Sequence, residues 1–172
     1  DSNGIFNVSD ISDKTRQSLT FLSVMMANNE TGVIQNISEI ANWARENKIQ
    51  FHTDAVQALG KIKVDFEALD IDAMTISSHK IYGPQGIAAL IVNKKIDLSP
   101  FMQGGGQEKG LRSGTENIAA IIGFGKACER SNQNRVRFEQ NIDLLKLTLE
   151  KALIELGAII FCENSHRLSN TT

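Results

Sequence analysis

The chain has 172 residues, 41% of them hydrophobic, and a formal net charge of −2 at pH 7. This length suits one domain with its own core, and the charge gives no reason to expect nucleic acid as a partner. No apolar run approaches the roughly 20 residues that cross a bilayer, so we expect no membrane partner. Two cysteines make a disulfide framework improbable, so we expect a cytoplasmic location or an equivalent reducing compartment.

The first four residues, Asp-Ser-Asn-Gly, contain neither an initiator methionine nor the basic-then-apolar organisation of a signal peptide. We therefore expect the chain to start inside a longer reading frame.

The first half of the chain alternates between apolar strands and an amphipathic helix. Residues 21–26 predict a buried strand, and apolar residues at helical spacing between 34 and 44 predict a crossover helix. Further strands are predicted from Phe51, at 73–77 and at 87–92. Continuous apolar strands separated by helical segments indicate an α/β fold with a mostly parallel sheet flanked by helices.

The second half is predicted to be mainly helical. Helical character resumes at 116–129, and apolar residues at helical spacing from 135 to 156 predict one long helix. Gly157 is a plausible end of that helix, and residues 158–162 have the composition of a strand.

The most informative motif is Ser-Ser-His-Lys at residues 77–80, which closes one apolar strand and opens into a loop containing Gly83 and Pro84. Burying a charged ammonium group is costly unless the nitrogen is neutral or covalently engaged. Lys80 is therefore a candidate Schiff-base lysine. On its own, a lysine at a strand end is more often a solvated surface residue.

A carboxylate occupies the equivalent position one strand earlier. Asp54 follows the strand that begins near Phe51, and open α/β sheets bind ligands at this edge. A lysine for the aldehyde and an anion for the pyridine nitrogen are what pyridoxal phosphate requires of a protein. Taken alone, Asp54 has the simpler interpretation of a helix cap.

Four motifs in this order resemble those of the cysteine desulfurases, which belong to the class V aminotransferase family and have the fold-type I pyridoxal phosphate architecture. Asn-Asn-Glu-Thr-Gly stands at 28–32, His-Thr-Asp-Ala-Val-Gln at 52–57, Ser-Ser-His-Lys at 77–80, and a glycine-rich segment at 104–108 precedes Arg-Ser-Gly-Thr at 112–115. The resemblance is dense from about residue 21 to 129 and weaker towards both ends.

The resemblance implies a role for each matching residue. Lys80 would bind the cofactor and move protons at the substrate α-carbon, and Asp54 would pair with the pyridine nitrogen. Gln57 would donate to the phenolic oxygen of the cofactor ring. The remaining matches are Ser77 and His79 for the cofactor phosphate and Asn29 for the substrate carboxylate, with no metal site.

Thr115 corresponds to a residue that family members lend to the phosphate site of a partner subunit, which implies a homodimer. The alternative interpretation is a loop threonine that caps the following helix.

The resemblance also indicates what the chain lacks. Relatives carry an aromatic ring that stacks on the cofactor upstream of these motifs, and a catalytic cysteine on a mobile loop downstream. Neither Cys128 nor Cys162 has the matching context. We expect a central fragment, with residues 1–132 as a partial cofactor-binding domain and 133–172 as a linking helix and the start of a small C-terminal domain.

The parent enzyme would convert L-cysteine to L-alanine and pass sulfur, through an enzyme persulfide, to an acceptor or scaffold protein for iron-sulfur cluster or thio-cofactor synthesis. The alternatives are a selenocysteine lyase, another class V aminotransferase, or a non-catalytic binding fragment.

Overall fold

The computed structural model describes residues 1–172 and contains one four-stranded sheet. The strands lie side by side in chain order: β1 (Phe21–Met25), β2 (Gln50–Asp54), β3 (Ala73–Ser77) and β4 (Ala88–Val92). β1, β2 and β3 are parallel, and β4 is antiparallel to β3. The predicted fold class, a mostly parallel α/β sheet flanked by helices, is confirmed.

Four α-helices connect and cover the strands: α1 (Asp13–Ser18), α2 (Ile37–Glu46), α3 (Phe66–Leu69) and α4 (Ile118–Glu155). Short 3₁₀ turns lie at Val8–Asp10, Ser78–Ile81 and Gln107–Gly110. Each α-helix begins after a residue whose side chain accepts a backbone N–H of the first turn. These residues are Ser12, Asn36, Asp65 and Asn117.

The hydrophobic core lies between α2 and one face of the sheet. Ile40 of α2 packs in the same cluster as Phe51 and Met74 of the central strands. Side chains alternate between faces along a strand, and the opposite face carries Phe21 and Leu90, which are 53% and 51% exposed. One face of the sheet is therefore buried, while the other remains partly open.

A smaller cluster joins the beginning of α4 to the sheet. Phe124 and Ala127 pack against Ile81, with Ile76 of β3 partly buried beside them. Ile76 also contacts the main core. The N-terminal part of α4 thus supports the 3₁₀ turn that follows β3.

Two predictions for the second half of the chain are wrong in detail. The helices expected at 116–129 and 135–156 form the single helix α4, which continues through residues 130–134 without a break. In that segment Ser131 Oγ donates to the Cys128 carbonyl and Asn134 Nδ2 to the Arg130 carbonyl. Residues 158–162 form no strand, because they pair with no neighbouring strand. Gly157, at φ +86°, follows the last residues of the helix as expected.

The end of the chain returns to the loop after β1. Ile34 N–H donates to the His166 carbonyl and Leu168 N–H to the Gly32 carbonyl, at 2.9 and 2.8 Å. Leu168 itself is 1% exposed and belongs to the main core. The last residues therefore pack against the rest of the fold. None of the helices has the length and apolar character required for a membrane span.

Candidate active site

The candidate site residues lie where the parallel strands end. β2 ends at Asp54 and β3 at Ser77, and their register pairs Met25, Asp54 and Thr75 across β1, β2 and β3. Because these strands are parallel, the segments that follow them meet at one edge of the sheet. Asn29 and Lys80 follow the carboxyl ends of β1 and β3, and Asp54 is the last residue of β2.

Lys80 lies in the 3₁₀ turn Ser78–Ile81 and is exposed. The expectation that burial distinguishes this lysine is wrong, because the turn carries its side chain beyond the end of the strand. The turn is closed by a 3.0 Å hydrogen bond from Gly83 N–H to the Ser78 carbonyl. A Cβ at position 83 would clash with Ser78 Oγ and lie 2.9 Å from the Cβ of Ala127 in α4, so only glycine fits there.

Asp54 uses one carboxylate oxygen to hold its own turn. Its Oδ1 accepts the Val56 N–H at 2.8 Å, which leaves Oδ2 free of protein hydrogen bonds. The helix-cap interpretation of Asp54 is wrong, because turns and no helix follow it, and the next helix is capped by Asp65. The turn contact and a ligand-binding role are compatible, since they use different oxygens.

His52 lies two residues before Asp54, on the same face of β2. Its Nδ1 is 2.8 Å from Ser23 Oγ on β1, and its Nε2 is 2.8 Å from Thr75 Oγ1 on β3. Burial lowers the pKa of His52 below its ordinary value, while the negative charge of Asp54 acts in the opposite direction. The imidazole thus links three strands just below the carboxylate.

Ser77 and His79, both expected at the cofactor phosphate, lie in contact with each other. Ser77 Oγ lies 2.9 Å from His79 Nδ1. Ser77 is buried whereas His79 is exposed. This contact fixes one imidazole nitrogen and leaves Nε2 available for an anionic ligand.

Asn29 lies in the loop after β1, where the neighbouring Asn28 forms the turn. Asn28 Oδ1 accepts the backbone N–H groups of Glu30 and Thr31 at 2.8 and 2.9 Å. Asn29 is exposed, and its amide donates to the Glu30 carboxylate at 2.6 Å. The turn role is thus filled by Asn28, and the side chain of Asn29 remains at the surface.

A cavity of about 550 Å³ lies beside the Lys80 turn. Its lining includes Gln57, Lys61, His79 and Lys80 from the sheet side and Arg130 from α4. Four of these five side chains are basic or can become so, which favours an anionic ligand.

Lys61 is the site residue that sequence reasoning missed. It is 8% exposed, and its Nζ donates to Gln57 Oε1 at 2.7 Å. Burial lowers the pKa of Lys61, and the positive charge of Lys80 lowers it further. The sequence did contain a signal for this residue, because Lys61 lies four residues after Gln57 in a segment that is otherwise apolar.

Thr115 is not part of this cavity. It is exposed in the loop that precedes α4. Its alternative role as a helix cap is wrong, because Asn117 Oδ1 accepts the Ala120 N–H and caps α4 instead.

The two cysteines also lie outside the cavity lining. Cys128 is partly buried in α4, where burial raises the pKa of its thiol. Cys162 lies in a turn with φ +54° rather than in the predicted strand. A raised thiol pKa at Cys128 is the opposite of what an activated nucleophile needs.

Comparison with known proteins identifies the relatives of this chain. The family model described as aminotransferase class V matches residues 1–172. The mitochondrial cysteine desulfurase of Candida maltosa is 44% identical over 167 residues, which cover 95% of this chain and 34% of that protein. The cysteine desulfurase IscS of Colwellia psychrerythraea is 42% identical over 148 residues, 85% of this chain and 37% of that protein.

Solved structures agree with this relationship. An X-ray structure of a NifS-like protein from Rickettsia africae superposes with a TM-score of 0.93 at 38% identity, covering 98% of this chain and 48% of that one. The chain therefore spans about a third of the length of the curated relatives it matches and about half of this structure. With a family model that covers its whole length, the chain belongs to the class V aminotransferase family.

Proposed function

We propose that this chain is the central part of a pyridoxal phosphate-dependent cysteine desulfurase. The observation that carries the proposal is the placement of Asp54 and Lys80 at the carboxyl ends of adjacent parallel strands, at one edge of the sheet. The likeness to two cysteine desulfurases at more than 40% identity supports it. The whole protein would convert L-cysteine to L-alanine and retain the sulfur as a persulfide.

The residues present fit pyridoxal phosphate. Lys80 takes part in no ion pair, so its exposed amine is available. The free Oδ2 of Asp54 supplies the anion. Lys80, Gln57 and His79 line the cavity of about 550 Å³, which is within the usual range for small ligands, whereas Asp54 and Ser77 lie outside its lining. When bound, the cofactor supplies an aldehyde that condenses with amines and a ring that withdraws electrons from the substrate α-carbon.

The side chains of this protein would each have a separate role at the bound cofactor. Lys80 holds the cofactor aldehyde and then moves the proton at the substrate α-carbon. Asp54 keeps the pyridine nitrogen protonated, and Gln57 donates to the ring oxygen. Ser77 and His79, already 2.9 Å apart, bind the phosphate.

Asn29 and Thr115 also have roles in the proposed function. The exposed amide of Asn29, in the loop after β1, would orient the substrate carboxylate by donating to it in place of the Glu30 carboxylate. The exposure of Thr115 outside the cavity is compatible with donation to the phosphate site of a second subunit in a homodimer.

We also propose that residues 133–172 are a linking helix and the start of a second domain, and that their last residues rest on the cofactor-binding part, 1–132, through Leu168. In support, the C-terminal half of α4 exposes Leu144, Leu145 and Leu147 by 64% or more. A sulfur acceptor or scaffold protein would receive the persulfide sulfur for iron-sulfur cluster or thio-cofactor synthesis. The compartment would be a reducing one, the cytoplasm or, as the name of the Candida maltosa relative indicates for that protein, the mitochondrion.

A second candidate for the chain as given is a binding module without turnover. The observation that favours it is the position of both cysteines outside the cavity lining. Incubating the chain with pyridoxal phosphate, cysteine and a reductant tests this candidate. Release of alanine and sulfide in equal amounts, abolished by a cysteine substitution, would contradict it.

Borohydride trapping tests the main proposal. After incubation with pyridoxal phosphate and reduction, peptide mapping should find the label on Lys80 and a loss of label in Lys80→Ala. The critical comparison is Lys61, which lines the same cavity. Labelling of Lys61 or Lys94 in place of Lys80 would refute the assignment. Selenocysteine or an amino acceptor as the preferred substrate of the full-length protein would instead favour a selenocysteine lyase or another class V aminotransferase.

A further inference from the structure

Lys61 and Gln57 form a buried pair that the proposed roles do not explain. The turns that follow β2 place Lys61 four residues after Gln57, and Lys61 Nζ lies 2.7 Å from Gln57 Oε1. Lys61 is 8% exposed, although lysine is among the residues least often buried. Burying this amine costs free energy, which the hydrogen bond offsets only in part.

The chemistry of the pair fixes the orientation of the glutamine amide. A lysine ammonium group has three hydrogen-bond donors and no acceptor, so it can bind only the oxygen of the amide. The amide nitrogen of Gln57 must then point away from Lys61, and it donates to no other group of the chain. Without Lys61, the amide would be free to rotate by 180° and present its oxygen instead.

We infer that Lys61 is a positioning residue that holds the Gln57 amide so that its N–H groups face the bound ligand. The inference rests on the proposed function, because the acceptor in question is the ring oxygen of pyridoxal phosphate. A donor at that oxygen stabilises its ionised form, whereas a rotated amide would place oxygen against oxygen. Lys61 thus acts on the cofactor through Gln57.

The first test requires no cofactor. In NMR spectra of the labelled 172-residue chain, a scalar coupling between Lys61 ¹⁵Nζ and Gln57 ¹³Cδ should show the hydrogen bond directly. In Lys61→Met the two Gln57 amide protons should change shift, while Lys63→Met, an exposed neighbour, should leave them unchanged. A freely rotating Lys61 amine with no such coupling would overturn the inference.

The second test measures the pH midpoint of the visible absorption of the bound cofactor. Gln57→Ala should raise this midpoint by about one pH unit, the size of effect of one hydrogen bond to an ionised oxygen. Lys61→Met should raise it similarly, and Lys61→Arg, which keeps the donor, should restore most of the wild-type value. Lys80, His79 and Arg130 line the same cavity and stay constant throughout.

The double variant Gln57→Ala/Lys61→Met distinguishes a positioning role of Lys61 from a direct effect of its positive charge on the cofactor. If Lys61 acts through Gln57, adding Lys61→Met to Gln57→Ala should shift the midpoint no further. If Lys61 acts only through its positive charge, the two shifts should add, and the inference fails while the proposed function stands. A chain that binds no cofactor at Lys80 would contradict the proposed function and the inference together.

Discussion

Arg167 and Glu150 form a buried ion pair that joins the last residues of the chain to α4. Arg167 Nη2 lies 2.8 Å from Glu150 Oε1, and the two side chains are only 5% and 13% exposed. Two further guanidinium nitrogens of Arg167, Nε and Nη1, are buried without a partner. An arrangement with unpaired buried donors is costly if its one charge partner is lost.

Removing one member of this pair should therefore destabilise the fold strongly. We expect Arg167→Met to lower the free energy of unfolding by about 3–5 kcal/mol, because it removes the charge partner of the buried Glu150 carboxylate and leaves it only the hydrogen bond from the Thr172 hydroxyl. The same substitution at Arg45, whose pair with Asp70 is 2.9 Å long but about half exposed, should cost no more than about 1 kcal/mol. Urea denaturation measures both, and equal losses would contradict the prediction.

Two glycines of α4 should respond in opposite ways to alanine. At Gly125 a Cβ meets nothing within 4 Å, so Gly125→Ala should stabilise the helix by about 0.5–1 kcal/mol. At Gly123 a Cβ would lie 2.6 Å from Pro84 Cγ, a ring atom that cannot rotate away. Gly123→Ala should cost about 1–3 kcal/mol net. Thermal unfolding of both variants checks this, and a stabilised Gly123→Ala would show that the loop after Lys80 does not pack on α4.

His52 should make stability depend on pH near neutrality. Burial lowers the pKa of His52 below 6.5, so the folded chain binds fewer protons than the unfolded chain as the pH falls through that value. The free energy of unfolding should therefore decrease as the pH falls from 6.5 towards the pKa of His52 in the folded chain. Below that pKa, the contribution of His52 to stability is fully lost. His52→Asn should flatten this dependence. An unchanged pH profile in His52→Asn would count against burial as the cause.

Asp54 offers a substitution that separates charge from turn formation. Asp54→Asn keeps an oxygen for the Val56 N–H but removes the charge. In the full-length protein we expect wild-type stability and a turnover lowered by about 10²-fold or more, since one preorganised electrostatic contact typically contributes this much. Asp54→Ala should lose both turnover and stability. Normal turnover in Asp54→Asn would exclude the carboxylate from the reaction.

Much of the fold was predictable because strand and helix periodicity come from local sequence. The strand at 73–77 matches β3 to the residue, and β1 and α2 differ from prediction only at their ends. The segment 158–162 was wrongly predicted as a strand because apolar composition alone does not supply a pairing partner. The two predicted helices merge into α4 because the polar segment between them, residues 130–134, is also helical, which apolar periodicity does not show.

The positions of the motif residues in the candidate site could be predicted from the sequence, but the burial of the side chains around them could not. Asp54, Ser77 and Lys80 are placed by strand ends, and strand ends follow from sequence. The exposure of Lys80 and the burial of Lys61 depend on how far the turns project beyond the sheet, which is a tertiary property.

The length of α4 has a mechanical consequence. At about 1.5 Å per residue, its 38 residues form a rod that contacts the Lys80 turn near one end and, through Glu150, the returning tail near the other. The tail in turn pairs with residues 32–34, just beyond Asn29. The loop of Asn29 and the turn of Lys80 are therefore connected in two ways, through the strands of the sheet and through α4. A tilt of α4 would displace both the loop and the turn.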